Sequence, residues 1–364
     1  MLSKFRVLDV TTETEAGTRL REEVSSRVVG QTAGVNFFVG QMEKFYGNLY
    51  DDKKPISSAL FIGPTGSGKT HSTEVFAEAL QESSPIFMRE SKVNMLKIDC
   101  GEFQHGHEIA KLIGSPPGYL GHRETPALLS NVRIKALQGI TRHPFGILLF
   151  DEIEKASDTL WHLLLSVLDK GKITLGTNEE VDLRHMMIFM TSNAGTAEMS
   201  VALGDRLGFQ GGTSMGPEDH DPKEVARIGQ AAAKKKFTNE FINRLDAVIA
   251  FNALTKEDAR KVLEIELAKL QFEVFTKCAA KFLFSIQTTA IEQLLKDGYS
   301  KKYNARHLKR EIDKQLRLPF ARVSSRKDIG ETEVLVVEFK DDKYQFKAMA
   351  RNDHKFVIHG GLVA

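Results

Sequence analysis

Gly63-Pro64-Thr65-Gly66-Ser67-Gly68-Lys69-Thr70 has the spacing G-x-x-x-x-G-K-T, in which glycines let the backbone curl until successive N–H groups point inward at an anion. Lys69 can then reach the β- and γ-phosphates of a nucleotide, and the Thr70 hydroxyl can hold Mg²⁺. The loop alone specifies a nucleoside triphosphate and is compatible with kinases, GTPases and transporter motors. A second cluster ends the apolar run Ile147-Leu148-Leu149-Phe150 with Asp151-Glu152. Asp151 is of the right type to hold Mg²⁺, directly or through water, and Glu152 to orient and deprotonate an attacking water. The alternative is an acidic start to the helix that follows. Asn193 ends another apolar run, where its amide can hydrogen-bond a γ-phosphate or a water, or simply begin a turn.

These residues act together only if the chain brings them to one edge. Five apolar runs can do so: Ala59–Ile62, Asn94–Cys100, Ile147–Phe150, Met187–Met190 and Ala247–Phe251. With helical patterns between them they predict a parallel α/β sheet covered on both faces, whose ligand crevice lies at the carboxyl ends of the strands. Upstream, residues 1–19 read as a polar lead with no fold of its own. From Leu20 two helical patterns follow, broken at Val28-Val29-Gly30-Gln31, and the second carries Val35, Phe38, Met42 and Phe45 on one face. The pattern changes after Asn252, so 20–252 is expected to form a large α/β domain and 253–349 a smaller, mainly helical one, with 350–364 a loose tail. In the smaller domain Thr255 caps a helix to about Thr276, Phe282–Ile286 is a short strand, and helices cover Thr289–Lys296 and a basic stretch Asn304–Arg317. Glu333–Phe339 and Tyr344–Met349 suit a hairpin around Asp341-Asp342-Lys343.

At 364 residues the chain can bury two cores. A formal net charge of +2 gives no electrostatic reason to expect nucleic acid or an acidic membrane as partner. The two cysteines, Cys100 and Cys278, are far apart and fit a reducing compartment without a disulfide framework. The apolar runs are too short to span a bilayer, and the start has no continuous apolar signal segment. The cytoplasm is the expected location.

Taken in order, these elements resemble the AAA+ ATPases, and within them the Clp subfamily of protein unfoldases, over roughly residues 20–347. Val28-Val29-Gly30-Gln31, with Val29 and Gly30 as its nucleotide-binding residues, is similar to the family's adenine-side segment, Gly63–Thr70 to its Walker A and Leu148–Glu152 to its Walker B. Asn193 falls where the family carries sensor 1. Phe241-Ile242-Asn243-Arg244-Leu245-Asp246 is similar to the arginine-finger segment, which implies that Arg244 reaches the ATP of a neighbouring subunit. Arg306, in Ala305-Arg306-His307-Leu308, matches the sensor 2 arginine, although Asn304 stands where the family usually has glycine. The resemblance implies ATP and Mg²⁺ as cofactors, Glu152, Asn193, Arg244 and Arg306 as catalytic residues, and a homo-oligomeric ring, a hexamer, acting on polypeptide. For Arg244 the alternative is a salt bridge with Asp246 or Glu240, and for Arg306 a solvated basic face.

Gly118-Tyr119-Leu120-Gly121 lies in a stretch that Pro and Gly punctuate throughout. Alone, such an aromatic is more often a packing plug than a binding residue; the resemblance makes it the pore loop that grips polypeptide. Leu207-Gly208-Phe209, in the Gly-rich and charged stretch 202–221, is similar to the tripeptide with which some Clp members dock a ClpP-like peptidase. It is equally consistent with a hydrophobe folded back on its own surface. His105 and His107 lack a third ligand for a metal, and Lys234–Lys236 reads as a solvated helix face. The rival function is an ATP-switched assembly or scaffold ring acting on a dedicated partner.

Overall fold

The computed structural model describes residues 8–83, 95–116, 118, 127–139, 144–196, 222–299, 305–330 and 333–350. Contacts divide the chain into two compact units. The first runs to Asn252 apart from Pro64–Ser67; the second takes that segment and everything from Ala253.

The first unit opens with α1 (Glu15–Arg27), capped by the Thr14 hydroxyl accepting from the Gly17 N–H, and α2 (Thr32–Tyr46). The helix thus begins inside the stretch expected to be an unstructured lead, because Thr14 supplies a cap and Leu20 and Val24 an apolar face. Then come β1 (Ser57–Ile62), α3 (Lys69–Ser83), β2 (Met95–Asp99), the single turn α4 (Ala110–Ile113), α5 (Asn131–Gln138), β3 (Gly146–Asp151) and α6 (Asp158–Lys170). A small hairpin, β4 (Lys172–Thr174) and β5 (Glu180–Asp182), precedes β6 (Met186–Ser192), α7 (Pro222–Lys236), the short α8 (Asn239–Asn243) and β7 (Ala247–Ala250).

The main sheet has the order β2-β3-β6-β1-β7, and every neighbouring pair is parallel. This is the expected five-stranded sheet. Every residue of β1 is buried, as a strand covered on both faces requires. Alternate residues serve opposite layers: Ala59 and Phe61 pack with Phe38, Phe76 and Phe189, while Leu60 and Ile62 pack with Leu148, Phe150, Leu164 and Ile188. Phe38 lies flat on Phe76 with ring centroids 4.4 Å apart, which fixes α2 against α3. The β4–β5 hairpin went unanticipated, since three residues per strand leave no period to detect.

The second unit contains α9 (Lys256–Lys277), β8 (Leu283–Ile286), α10 (Thr288–Gly298), α11 (Ala305–Ile312), α12 (Leu318–Arg326), β9 (Glu333–Lys340) and β10 (Lys343–Ala350). Thr255 and Asp258 form a reciprocal capping box that starts α9. The expected hairpin is β9–β10; β8 joins it in parallel, giving the order β10-β9-β8. The basic stretch does not end as one helix at Arg317. A wide π turn at Asp313–Arg317 leads straight into α12, directly before Pro319, which has no N–H for the ordinary helical bond. The tail expected from residue 350 lies outside the described residues except for Ala350, which ends β10.

Candidate functional site

The site begins where β1 stops. Gly63, Gly66 and Gly68 take φ of +153°, +79° and +96°, which L side chains rarely adopt. A Cβ at Gly63 would stand 2.3 Å from the Phe251 carbonyl oxygen, so the loop leaves β1 only through glycine. Ser67 N–H donates to Pro64 O at 3.2 Å, and Ser72 N–H to Gly68 O at 2.7 Å, closing the first turn of α3. The positive end of that helix dipole therefore faces the loop.

Lys69 is 7 % exposed. Its ammonium donates to the Gly63 carbonyl at 2.8 Å and to Asn193 Oδ1 at 3.0 Å, which tie it to the start of the loop and to the end of β6. The Thr70 hydroxyl donates to Asp151 Oδ1 at 2.7 Å, bringing together two hard oxygen groups suited to Mg²⁺. Thr191 donates to the same carboxylate oxygen, and Lys97 Nζ lies 3.1 Å from Oδ2. Burial pushes the Asp151 carboxyl up, but the Thr191 and Thr70 hydroxyls and the Lys97 ammonium outweigh it and hold the group below its ordinary value. Burial pushes Lys97 down, and Asp151 and Glu74 more than reverse it.

Glu152 follows Asp151 in the left-handed region at φ +57°, a strained conformation for a side-chain-bearing residue. Its N–H donates to Thr191 Oγ1 at 3.0 Å. Its carboxylate accepts from Asn193 Nδ2 at 3.3 Å and pairs with the Lys155 ammonium, whose pKa that bond raises. The Asn193 side chain thus spans Lys69 and Glu152, and its backbone N–H donates to Glu154 Oε1 at 3.1 Å. Glycine cradle, buried ammonium, paired hydroxyl and carboxylate, and a second acid at the strand ends together fit a Mg²⁺-bound nucleotide.

Val29 and Gly30 stand between α1 and α2, and Gly30 turns at φ +73°. The next residue, Gln31, fastens this segment to the chain after β7: its Nε2 donates to Asn252 O at 2.9 Å and its Oε1 accepts from Asn252 N–H at 3.0 Å. Arg244 closes α8. Its Nε is 2.6 Å from Asp169 Oδ1 and its Nη1 donates to Glu240 Oε1 at 2.6 Å, while Asp246 instead accepts from the Ser58 N–H at 2.7 Å. Arg306 is exposed on α11 in the second unit. Gly118 is exposed at φ +97°. Tyr119, Leu120, Gly121, the tripeptide Leu207-Gly208-Phe209 with the whole of its stretch 202–221, and Asn304 lie outside the described residues.

Lys97, Thr191, Lys155 and Asp169 were missed from sequence. Thr191 had a readable signal, being polar at the end of the buried run Met186–Met190. Lys97 had none, because its place opposite Leu149, two residues before Asp151, depends on the β2–β3 register.

This geometry on a parallel sheet defines a nucleotide-hydrolysing module of the P-loop class. A family model for the AAA domain, Cdc48 subfamily, matches residues 54–248, and one for the C-terminal D2-small domain of ClpB protein matches residues 254–337. The chain belongs to the AAA family and is an ATPase. The chaperone protein ClpB of Mesorhizobium japonicum is 35% identical over 330 residues, covering 91% of this chain and 34% of its own length. ClpB of Brucella suis is 33% identical over 338 residues, covering 93% and 35% respectively. A closed-state cryo-EM reconstruction of Hsp104 with ATPγS and FITC casein superposes with a TM-score of 0.72 at 25% identity, over 92% of this chain and 52% of that one. The chain spans about a third of the length of the ClpB relatives it matches. Among the described residues no helix is long and apolar enough to cross a membrane.

Proposed function

We propose that the chain is the motor module of a ring, a hexamer, that hydrolyses ATP to draw polypeptide through a central channel. The observation that carries this reading is the convergence of Lys69, Thr70, Asp151, Glu152 and Asn193 at the strand ends, while Arg244 pairs elsewhere, with Asp169 and Glu240, which belong to none of them. Lys69 and the inward N–H groups of Gly63–Thr70 bind the phosphates, with Val29 and Gly30 on the adenine side. Thr70 and Asp151 would hold Mg²⁺, which when bound neutralises phosphate charge. Glu152 takes the proton of the attacking water, oriented by Asn193, as the bond between the γ-phosphorus and the bridging oxygen of ADP breaks.

Arg244 supplies positive charge to the transition state in the neighbouring subunit, a contribution of about 10³ to 10⁵ in rate where such arginines act. Arg306 senses the γ-phosphate from the second unit. Gly118, Tyr119, Leu120 and Gly121 form the loop that grips extended chain by apolar contact without reading sequence. The relatives are named chaperones, and the Hsp104 reconstruction includes casein, which supports polypeptide as the substrate class. Feeding a ClpP-like peptidase rests on Leu207-Gly208-Phe209 alone, and relatives named as chaperones give it no support.

The test is ATP-dependent unfolding of a stable fluorescent substrate by the full chain, followed as loss of fluorescence. Tyr119→Ala is expected to keep ATP turnover and abolish unfolding. Unfolding by that variant at the wild-type rate overturns the gripping role. Robust ATP turnover by the wild type with no unfolding overturns the motor reading in favour of an ATP-switched scaffold.

A further inference from the structure

Arg244 sits at the end of a helix of five residues, α8, a slight support for a side chain that must aim at another subunit. Its second anchor comes from a far stiffer element. Asp169 belongs to the last turn of α6, whose Leu160, Leu164, Val167 and Leu168 are buried against the sheet. A carboxylate in the last turn of a helix is placed against the dipole, where cations are favoured. The position therefore has a cost that its partner must offset, and that partner is Arg244 Nε at 2.6 Å.

We infer that Asp169, assisted by Glu240, is a positioning residue that aims Arg244; this rests on the arginine-finger reading of Arg244 given above. A guanidinium carries five N–H donors in a rigid fork. Asp169 meets Nε and Glu240 meets Nη1. The two contacts pin the planar fork at two of its three nitrogens, fixing its plane while leaving further N–H donors for a third anion, here a phosphate of the neighbouring subunit. The Arg244 hydrogen bond holds the Asp169 carboxyl below its ordinary value, as a persistent pair should. Stability is not its main purpose. The Asp169 and Glu240 side chains are 41% and 63% exposed, and pairs so exposed contribute little to folding. Asp169 can therefore be changed without threatening the fold.

The experiment measures kcat and KM for ATP, fluorescent-nucleotide affinity and sedimentation for the full-length wild type, Asp169→Asn, Asp169→Glu, Arg244→Ala and the double variant Asp169→Asn/Arg244→Ala. Misplacing a catalytic group by about 1 Å costs on the order of 100-fold, so Asp169→Asn is expected to lose about 10- to 100-fold in kcat. Nucleotide affinity and sedimentation should match the wild type, Asp169→Glu should recover part of the rate, and the double variant should be no slower than Arg244→Ala. Wild-type kcat in Asp169→Asn overturns the inference, as does a double variant slower than Arg244→Ala by the full single-variant factor, or a loss of assembly in place of a loss of rate. If Arg244→Ala itself turns over at the wild-type rate, the finger reading falls. If Arg244→Ala is slow while Asp169→Asn is not, only the positioning role falls.

Discussion

In the first unit the polar side chains at the strand ends are committed to one another: Lys69 to Asn193, Asn193 to Glu152, Thr70, Thr191 and Lys97 to Asp151. In the second unit the buried amide of Gln271 serves the backbone instead, donating to Phe282 O and accepting from Phe284 N–H, each at 3.0 Å. That unit's cation of interest, Arg306, is exposed and makes no hydrogen bond or ion pair among the described residues. The cores are similarly buried, with Phe61, Phe76 and Phe189 in one and Phe284, Leu308 and Phe320 in the other. The difference lies in preorganisation. A site whose groups hold each other in place needs little rearrangement when charge develops, whereas a lone exposed cation acts only when an anion is brought to it.

The comparison can be broken most sharply at Glu152. Removing the base by Glu152→Gln should lower kcat by about 10² to 10⁴ while fluorescent-nucleotide affinity stays at the wild-type value. Turnover near the wild-type rate would mean that the network is merely structural. Next in size, Gln271→Leu leaves the Phe282 carbonyl and Phe284 N–H buried without their partner, at about 1–3 kcal/mol each. Hydrogen exchange should rise in β8 and α9 while the amides of β1 and β3 keep their protection; equal loosening of both would show one cooperative unit. The smallest expected effect is at Arg306. Arg306→Ala should reduce ATP turnover by about tenfold, the scale of one charge-assisted hydrogen bond, and leave the protection of α11 unchanged. A rate unaffected at saturating ATP would return Arg306 to a solvated face.

Much of the site was legible because its parts are contiguous. Gly63–Thr70 and Asp151-Glu152 are runs whose chemistry follows from residue type and spacing, and the structure places both at the ends of parallel strands. Asn193 was legible once the buried run before it was seen to be a strand. Lys97 and Asp169 were not. Lys97 is separated from Asp151 by more than fifty residues and meets it only through strand register, and Asp169 meets Arg244 only because α6 and α8 pack on the same layer of the sheet.

The sequence by itself determined that a phosphate loop, two strand-end acids and five apolar strands exist, since local spacing and alternation need no partner to be read. Tertiary structure alone decided the strand order β2-β3-β6-β1-β7, which sets Lys97 and Thr191 on Asp151. It likewise decided that Arg244 pairs with Asp169 and Glu240 and that Asp246 turns to Ser58. Contacts of this kind depend on how separate elements pack, and packing is a property of the whole buried core rather than of any one segment.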